Sequence, residues 1–434
     1  MRSDWITCKV SELAEVIGGG TPSTKNEDYY GGEISWITPK DLSGHTNQYI
    51  SEGGRSITKL GLEKSSAKLM PAGSILFSSR APIGYVAIAA KPLSTNQGFK
   101  SLVPNKEKLD SLFGYYLMKF YAPEIERHAS GSTFKEVSGA VVKNFEVKVP
   151  KSLETQRKVA SVLASLDDKI ANNKAMNQTL EKLAQRIFKS WFIDFDPVKA
   201  NKEGLPFDGL SPKIQALFPS EFEDSELGMI PKGWAAEELS SLININPRRT
   251  IKKGTVTHHI DMKALPTSSM SIDEVGSKEF KSGTKFINHD TLLARITPCL
   301  ENGKTAYVNC IPGNDIAWGS TEFIVMNPKD EYLREYTYLL ARSDELRAYA
   351  IKNMTGTSGR QRVSGTLVGE FKVSKPNQAV LEAFHKVTAS LFMKIATNTE
   401  NSVALEKIRD RLLPKLISGQ ISVGEAVQEL AEAV

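Results

Sequence analysis

The sequence predicts an α+β protein in which two similar α/β modules are separated by two long helices. These helices form an antiparallel coiled coil, and the whole is an internal pseudo-twofold repeat. Three observations predict it. From Glu154 to Phe192 the residues Val159, Leu163, Leu166, Ile170, Asn173, Asn177, Leu180, Ala184, Ile187 and Trp191 recur at gaps of four and three in alternation. That is the heptad of a helix lying on a helix rather than on a sheet. An offset of 225 residues, Leu180 to Leu405, lays this seam onto Leu391, Ile395, Asn398, Leu405, Leu412 and Leu416. The repeat also extends beyond the helices. Val137-Ser138-Gly139, Phe145, Val147 and Pro150 match Val363-Ser364-Gly365, Phe371, Val373 and Pro376 at an offset of 226, and Trp5, Val10 and Leu13 match Trp234, Leu239 and Leu242 at 229.

The first long helix would be on the order of 58 Å long, and a single narrow stripe of that length needs a partner. The second helix supplies one. If Asn173 faces Asn398 in antiparallel register, Leu166 lies near Leu405, Leu180 near Leu391 and Ile187 near Phe384, so apolar meets apolar at each level. A buried Asn is a device for fixing register at some cost in stability. The alternative places both Asn residues at the seam edge, facing solvent.

In chain order, module one covers 1–150. A short helix at Val10 to Ile17 is followed by Gly18, Gly19 and Gly20, read as a helix stop and turn. Strand-like runs follow at Ile34–Ile37, Ser74–Phe77, Tyr85–Ile88 and Phe99–Val103, bounded by Gly and Pro. Leu109, Leu112, Phe113, Tyr116, Leu117 and Phe120 then recur at helical spacing. A small polar loop, 129–135, leads to a last strand near Phe145 to Val149. The central helical spacer is 151–200, and a linker packed through its aromatic residues is 201–231. Module two, 232–376, repeats the order with different surface chemistry. The C-terminal helical spacer is 377–420, and a tail is 421–434.

At 434 residues with 40% hydrophobic content the chain has material for two or three cores. A net charge of +5 and a pI near 8.8 permit a polyanionic partner without requiring one. Three cysteines, Cys8, Cys299 and Cys310, are an odd number without metal-like spacing, which points away from a disulfide framework or zinc and toward a reducing cytoplasm. No apolar run is long enough to span a membrane, so the expectation is a cytoplasmic protein with no membrane partner.

The catalytic motifs sought are missing. The six histidines are scattered without an HExxH, and His258 and His259, adjacent in a strand, would point to opposite faces, so no metal site is expected. The glycines at 18–20 lack the strand-to-helix context of a phosphate cradle. Neither a Walker motif nor a GxSxG elbow is present. Asp194-Phe195-Asp196-Pro197, Asn246-Pro247-Arg248-Arg249 and Asn327-Pro328-Lys329-Asp330 lack the second Pro and the aromatic of an adenine methyltransferase motif. Glu146-Val147-Lys148 is explained by alternation at a strand end rather than as half of a nuclease motif. No catalytic residue is assigned.

Two similar modules with unlike loops, held apart by a helical pair of set length, suit the reading of two targets at a fixed distance. Half-sites on DNA, on the order of 34 Å apart, are such targets. Arg or Lys bonds guanine, Asn or Gln bonds adenine, and further Lys residues hold phosphates. Most loop Arg and Lys residues are nonetheless ordinary solvated surface.

Four strings in the first half, Ser78-Ser79-Arg80-Ala81-Pro82-Ile83-Gly84, Thr95-Asn96-Gln97-Gly98-Phe99-Lys100, Gly131-Ser132-Thr133-Phe134-Lys135 and Phe192-Ile193-Asp194-Phe195-Asp196-Pro197, are joined by Glu226-Leu227-Gly228-Met229-Ile230-Pro231-Lys232-Gly233-Trp234. Taken in this order with the twofold repeat, they make the chain resemble the specificity subunit of type I restriction-modification systems over essentially its whole length. The resemblance implies two target-recognition domains on double-stranded DNA, each reading one half of a bipartite site, with the coiled coil setting the gap. It implies as partners two modification subunits that bind S-adenosylmethionine, and restriction/translocase subunits that use ATP and Mg, with no cofactor in this chain.

Base-contacting residues vary within such a family, so candidates come from chemistry and loop position. In module one they are Lys40, Arg80, Asn96, Gln97, Lys100, Ser132, Thr133 and Lys135. In module two they are Arg248, Arg249, Lys263, Arg295, Thr357, Arg360, Gln361 and Arg362. Arg80 has the alternative of pairing with a carboxylate, and Asn96 of capping a turn. The rival function is a coiled-coil scaffold that binds proteins without DNA specificity.

Overall fold

The computed structural model describes residues 4–131, 135–272, 275–313, 315–357 and 359–433. It divides into two compact units: Met1–Asn172 with Asn401–Val434, and Asn173–Glu400. Each unit holds one α/β module and its share of both long helices.

In unit one, Trp5–Lys9 pairs antiparallel with Glu146–Pro150, so the two ends of the module meet. The expected helix at Val10 to Ile17 is a single turn, Val10–Leu13, and the chain then becomes a strand, Ala14–Gly18. The period changes at that point: Ala14 and Val16 are buried and Glu15 exposed, an alternation of two that only a strand satisfies. A five-stranded sheet runs in the order Ala14–Gly18, Lys100–Pro104, Ile75–Ser79, Ile83–Ala89, Tyr49–Ile50. A three-stranded sheet has Tyr30–Ile37 between Ser56–Ile57 and Ser94–Thr95. The helix Ser111–Arg127 is capped by Asp110, whose carboxylate accepts from the Leu112 and Phe113 amides at 3.0 and 3.1 Å. It buries Phe113 and Tyr116 in a core with Phe77.

Gly18, Gly19 and Gly20 therefore leave a strand, not a helix. A Cβ on Gly19 would stand 1.9 Å from the Asn96 carbonyl oxygen, and one on Gly20 2.2 Å from the Ala67 nitrogen. Backbones approach there at a distance only glycine allows.

Unit two repeats the plan. Ala235–Glu238 pairs with Lys372–Lys375, and one four-stranded sheet runs Ile243–Ile245, Phe323–Pro328, Thr291–Ala294, Thr305–Tyr307. The other runs Gly276–Glu279, Val256–Ile260, Ala317–Gly319, Thr284–Phe286. Its parallel pair, Val256–Ile260 with Ala317–Gly319, corresponds to Tyr30–Ile37 with Ser94–Thr95 in unit one. Two helices, Arg334–Arg342 and Asp344–Lys352, replace the single helix of unit one, broken at Ser343, which caps the second of them.

The stretch after the first long helix carries helices at Asp196–Glu203 and Pro212–Gln215 and a hairpin of Phe222–Ser225 with Gly228–Pro231. Trp191, Phe192, Phe218 and Trp234 gather there in edge-on and tilted contacts. The segment 421–434, read from the sequence as a tail, carries the helix Val423–Ala433. Its Ala426 is fully buried and its Glu429 pairs with Lys415 at 2.9 Å.

The long helices are Leu153–Phe192 and Gln378–Ile417, 40 residues each. In unit one Val159, Leu163, Leu166, Leu412 and Leu416 are buried in one cluster, with Leu405 against it, and Asp167 pairs with Arg409 at 2.7 Å. In unit two Trp191, Phe384 and Ile395 are buried, with Leu180, Ile187 and Leu391 packed against them. Ile170 is 5% exposed.

The asparagines form a polar layer inside the seam rather than at its edge. Asn398, 2% exposed, donates to Asn177 Oδ1 at 2.9 Å. Asn177 donates to the Ile395 carbonyl at 3.3 Å and the Thr399 hydroxyl at 3.1 Å, and Asn173 to the Asn398 carbonyl at 3.4 Å. Asn177, one helical turn from Asn173, thus joins Asn173 in meeting Asn398. Among the described residues no helix is long and apolar enough to cross a membrane.

Candidate nucleic-acid interface

In unit one a short 3-10 turn, Pro39–Leu42, follows the strand Tyr30–Ile37. Asp41 fastens it, accepting from the Thr38 amide and hydroxyl at 2.7 and 2.6 Å and from the Gly54 amide at 2.8 Å. Burial opposes the Asp41 charge, yet these bonds outweigh it and hold the carboxyl below its ordinary value. Lys40 therefore stands exposed on a rigid turn.

Beside it lies the turn Thr95–Phe99. Asn96 Oδ1 accepts from the Gly98 amide at 2.9 Å, which makes Asn96 a builder of the turn, while Gln97 is exposed at its tip. A Cβ on Gly98 would meet Pro39 at 3.0 Å, so the two turns touch. The Gly98 carbonyl accepts from the Ser79 amide at 2.7 Å, and the Ser79 carbonyl from the Val137 amide at 2.9 Å. These bonds draw the three loops into one rim. On it Lys100 and Arg80 converge on Glu136, at 3.0 and 3.7 Å, with Lys135 exposed next to them. Ser132 and Thr133 lie outside the described residues.

Unit two builds the same rim. Lys263 is exposed on the 3-10 turn Met262–Ala264, the place Lys40 holds in unit one. Ser320 replaces Asn96, its hydroxyl accepting from the Glu322 amide at 3.1 Å. Arg295 takes the backbone role of Ser79, donating to the Glu322 carbonyl and accepting from Val363, both at 3.0 Å. Its side chain is half-buried, and among the described residues its Nε has no hydrogen-bond partner. The Gln361 amide donates to the Thr297 hydroxyl at 3.2 Å, and Thr357 and Arg360 are exposed in the closing loop.

Arg362 stands where unit one has Glu136, and Glu322 where unit one has Gly98. The Arg362 Nε and Nη2 grip the Glu322 carboxylate at 2.8–2.9 Å. Sequence reading missed both carboxylates, Glu136 and Glu322. The one signal for Glu322 was in the repeat, where an acid replaces a turn glycine.

Arg249, a candidate from the sequence, is held inside the unit by a carboxylate. Its guanidinium holds Asp290 through two bonds, at 2.5 and 3.0 Å, with the arginine side chain 11% and the aspartate 0% exposed. Its donors also reach the Lys285 carbonyl. With only 11% of its side chain exposed, this guanidinium is turned into the unit rather than toward a ligand on the rim. Its neighbour Arg248 is exposed and stays on the surface. Among the described residues no three His, Cys, Asp or Glu side chains gather as a metal site.

Comparison with known proteins bears on this rim. A family model described as the type I restriction modification DNA specificity domain matches residues 2–182. The chain is 36% identical over 446 residues to the type I restriction enzyme MjaIX specificity subunit of Methanocaldococcus jannaschii, covering 97% of this chain and 94% of that one. It is 26% identical over 358 residues to the type I restriction enzyme HindI specificity subunit of Haemophilus influenzae, covering 69% and 74%. The crystal structure of the type I restriction-modification S subunit from M. genitalium shares the fold, with a TM-score of 0.57 at 17% identity over 95% of this chain and 96% of that one. With 36% identity across nearly all of both chains, this protein belongs to the DNA specificity subunits of type I restriction-modification enzymes, non-catalytic subunits whose partners carry the catalysis.

Proposed function

We propose that each unit reads one half of a bipartite, asymmetric sequence in double-stranded DNA through its rim of turns. The two long helices set the gap between the halves, and the chain directs two modification subunits and the restriction/translocase subunits to that site. The observation that carries this reading is the pairing of one scaffold with two chemistries. The same hydrogen bonds build both rims, while the side chains they present differ in kind and in sign. A scaffold that bound one partner twice would not need that difference. S-adenosylmethionine, ATP and Mg belong on this reading to the partner subunits, and the complex works in the cytoplasm.

The test is binding of the assembled complex to a duplex at several salt concentrations. Phosphate neutralisation imposes a linear fall of log affinity with log salt, by about 0.9 per phosphate contact. Weak binding with a flat slope would favour the protein-binding scaffold.

A further inference from the structure

We infer that Arg362 reads a guanine in the half-site of unit two and that Glu322 is the positioning residue that holds it for that task. This rests on the reading that unit two contacts DNA. A guanidinium has five N–H donors. Glu322 takes Nε and one Nη2 donor, and the Arg360 carbonyl takes one Nη1 donor at 3.1 Å. One donor remains on each Nη, and two adjacent donors are what guanine O6 and N7 accept in the major groove.

The remaining edge is within reach, since 41% of the Arg362 side chain is exposed. It is also fixed in place. The Arg362 backbone exchanges bonds with Thr355 at 2.9 and 3.0 Å, and the next residue is held by the Arg295 carbonyl at 3.0 Å. An arginine frozen before binding loses little rotamer freedom on contact, which favours discrimination. Because its charge is balanced by Glu322, the pair suits a base better than a phosphate. Glu136 occupies the corresponding place in unit one, so the two rims present opposite polarity at one position.

The experiment uses the full chain co-expressed with its modification subunit, mapping methylated adenines for the wild type, Arg362→Gln, Arg362→Lys and Glu322→Gln. The expected result is a single guanine whose preference falls roughly tenfold to a hundredfold in Arg362→Gln. Arg362→Lys loses preference at the same position, and Glu322→Gln weakens it there too. All other positions and the whole of the other half-site stay intact, which reports a folded complex. Arg362→Lys keeps a cation beside Glu322, so it carries the test if Arg362→Gln fails to assemble. An unchanged motif in the arginine variants, or a loss uniform across all sequences, overturns the inference while leaving DNA reading by unit two in place. A wild type without a bipartite motif overturns that reading and the inference together.

Discussion

Arg249 and Arg362 carry the same charge and have opposite fates, decided by what lies across the fold from each. Asp290 is fully buried and also accepts from the Ile287 amide and the Asn327 side chain, so removing Arg249 leaves a charge stranded in the core. Arg249→Ala is expected to cost about 3–5 kcal/mol, while Arg248→Ala stays within about 0.5 kcal/mol; denaturant unfolding of the two variants distinguishes them. Lys40 and Lys263, exposed on corresponding turns, are suited to phosphate contact on the proposed reading. Replacing either with Ala is expected to weaken binding equally on all sequences and to reduce the salt slope by about one; a change of sequence preference would contradict the phosphate role. At Glu181 burial pushes the carboxyl up, despite bonds from the Tyr338 hydroxyl and the Met270 amide and the nearby Arg342. The folded form then holds the proton more tightly than the unfolded chain, so this contribution to stability is full below about pH 4.5 and is lost as pH rises through the raised value. Unfolding titrations should show that loss in the wild type and not in Glu181→Gln. The sequence displayed every one of these charges. It did not display their partners, because Asp290 stands 41 residues from Arg249 and Glu322 40 from Arg362. Only folding brings them together.

Elements were legible where one period held for long enough. Both 40-residue helices could be read from gaps of four and three, since a seam repeated over many turns admits one reading. The stretch Val10 to Ile17 was not legible, because one helical turn passes into a strand and a few residues cannot tell the two periods apart. The seam asparagines were legible as a polar level, and Asn173 does meet the Asn398 carbonyl, but the share that Asn177 takes in that level was not. Their layer makes a distinct prediction. Asn398→Leu takes the Asn398 donor away from Asn177 Oδ1 and is expected to destabilise by about 1–3 kcal/mol. Replacing both Asn177 and Asn398 with Leu should recover or exceed wild-type stability while loosening register. Thermal unfolding of the single and double variants, with cross-linking across the seam to read register, checks both halves of that claim.

For the whole molecule the repeat was the most informative sequence feature. It announced two modules on one plan, and each module carries the corresponding parallel pair, although unit one has sheets of five and three strands where unit two has two sheets of four. The rims were legible only as loops bearing basic and amide residues, because backbone bonds among three distant segments decide which of them share a surface. If the helices act as a ruler, one heptad added to both should lengthen the preferred gap by about 10 Å, roughly three base pairs; an unchanged gap would contradict it. The most direct measurement is the map of methylated adenines in cells that express this chain with its modification subunit. The account predicts one motif of two unlike defined halves around a fixed undefined gap. An assembled complex with an active methyltransferase and no such motif would contradict it.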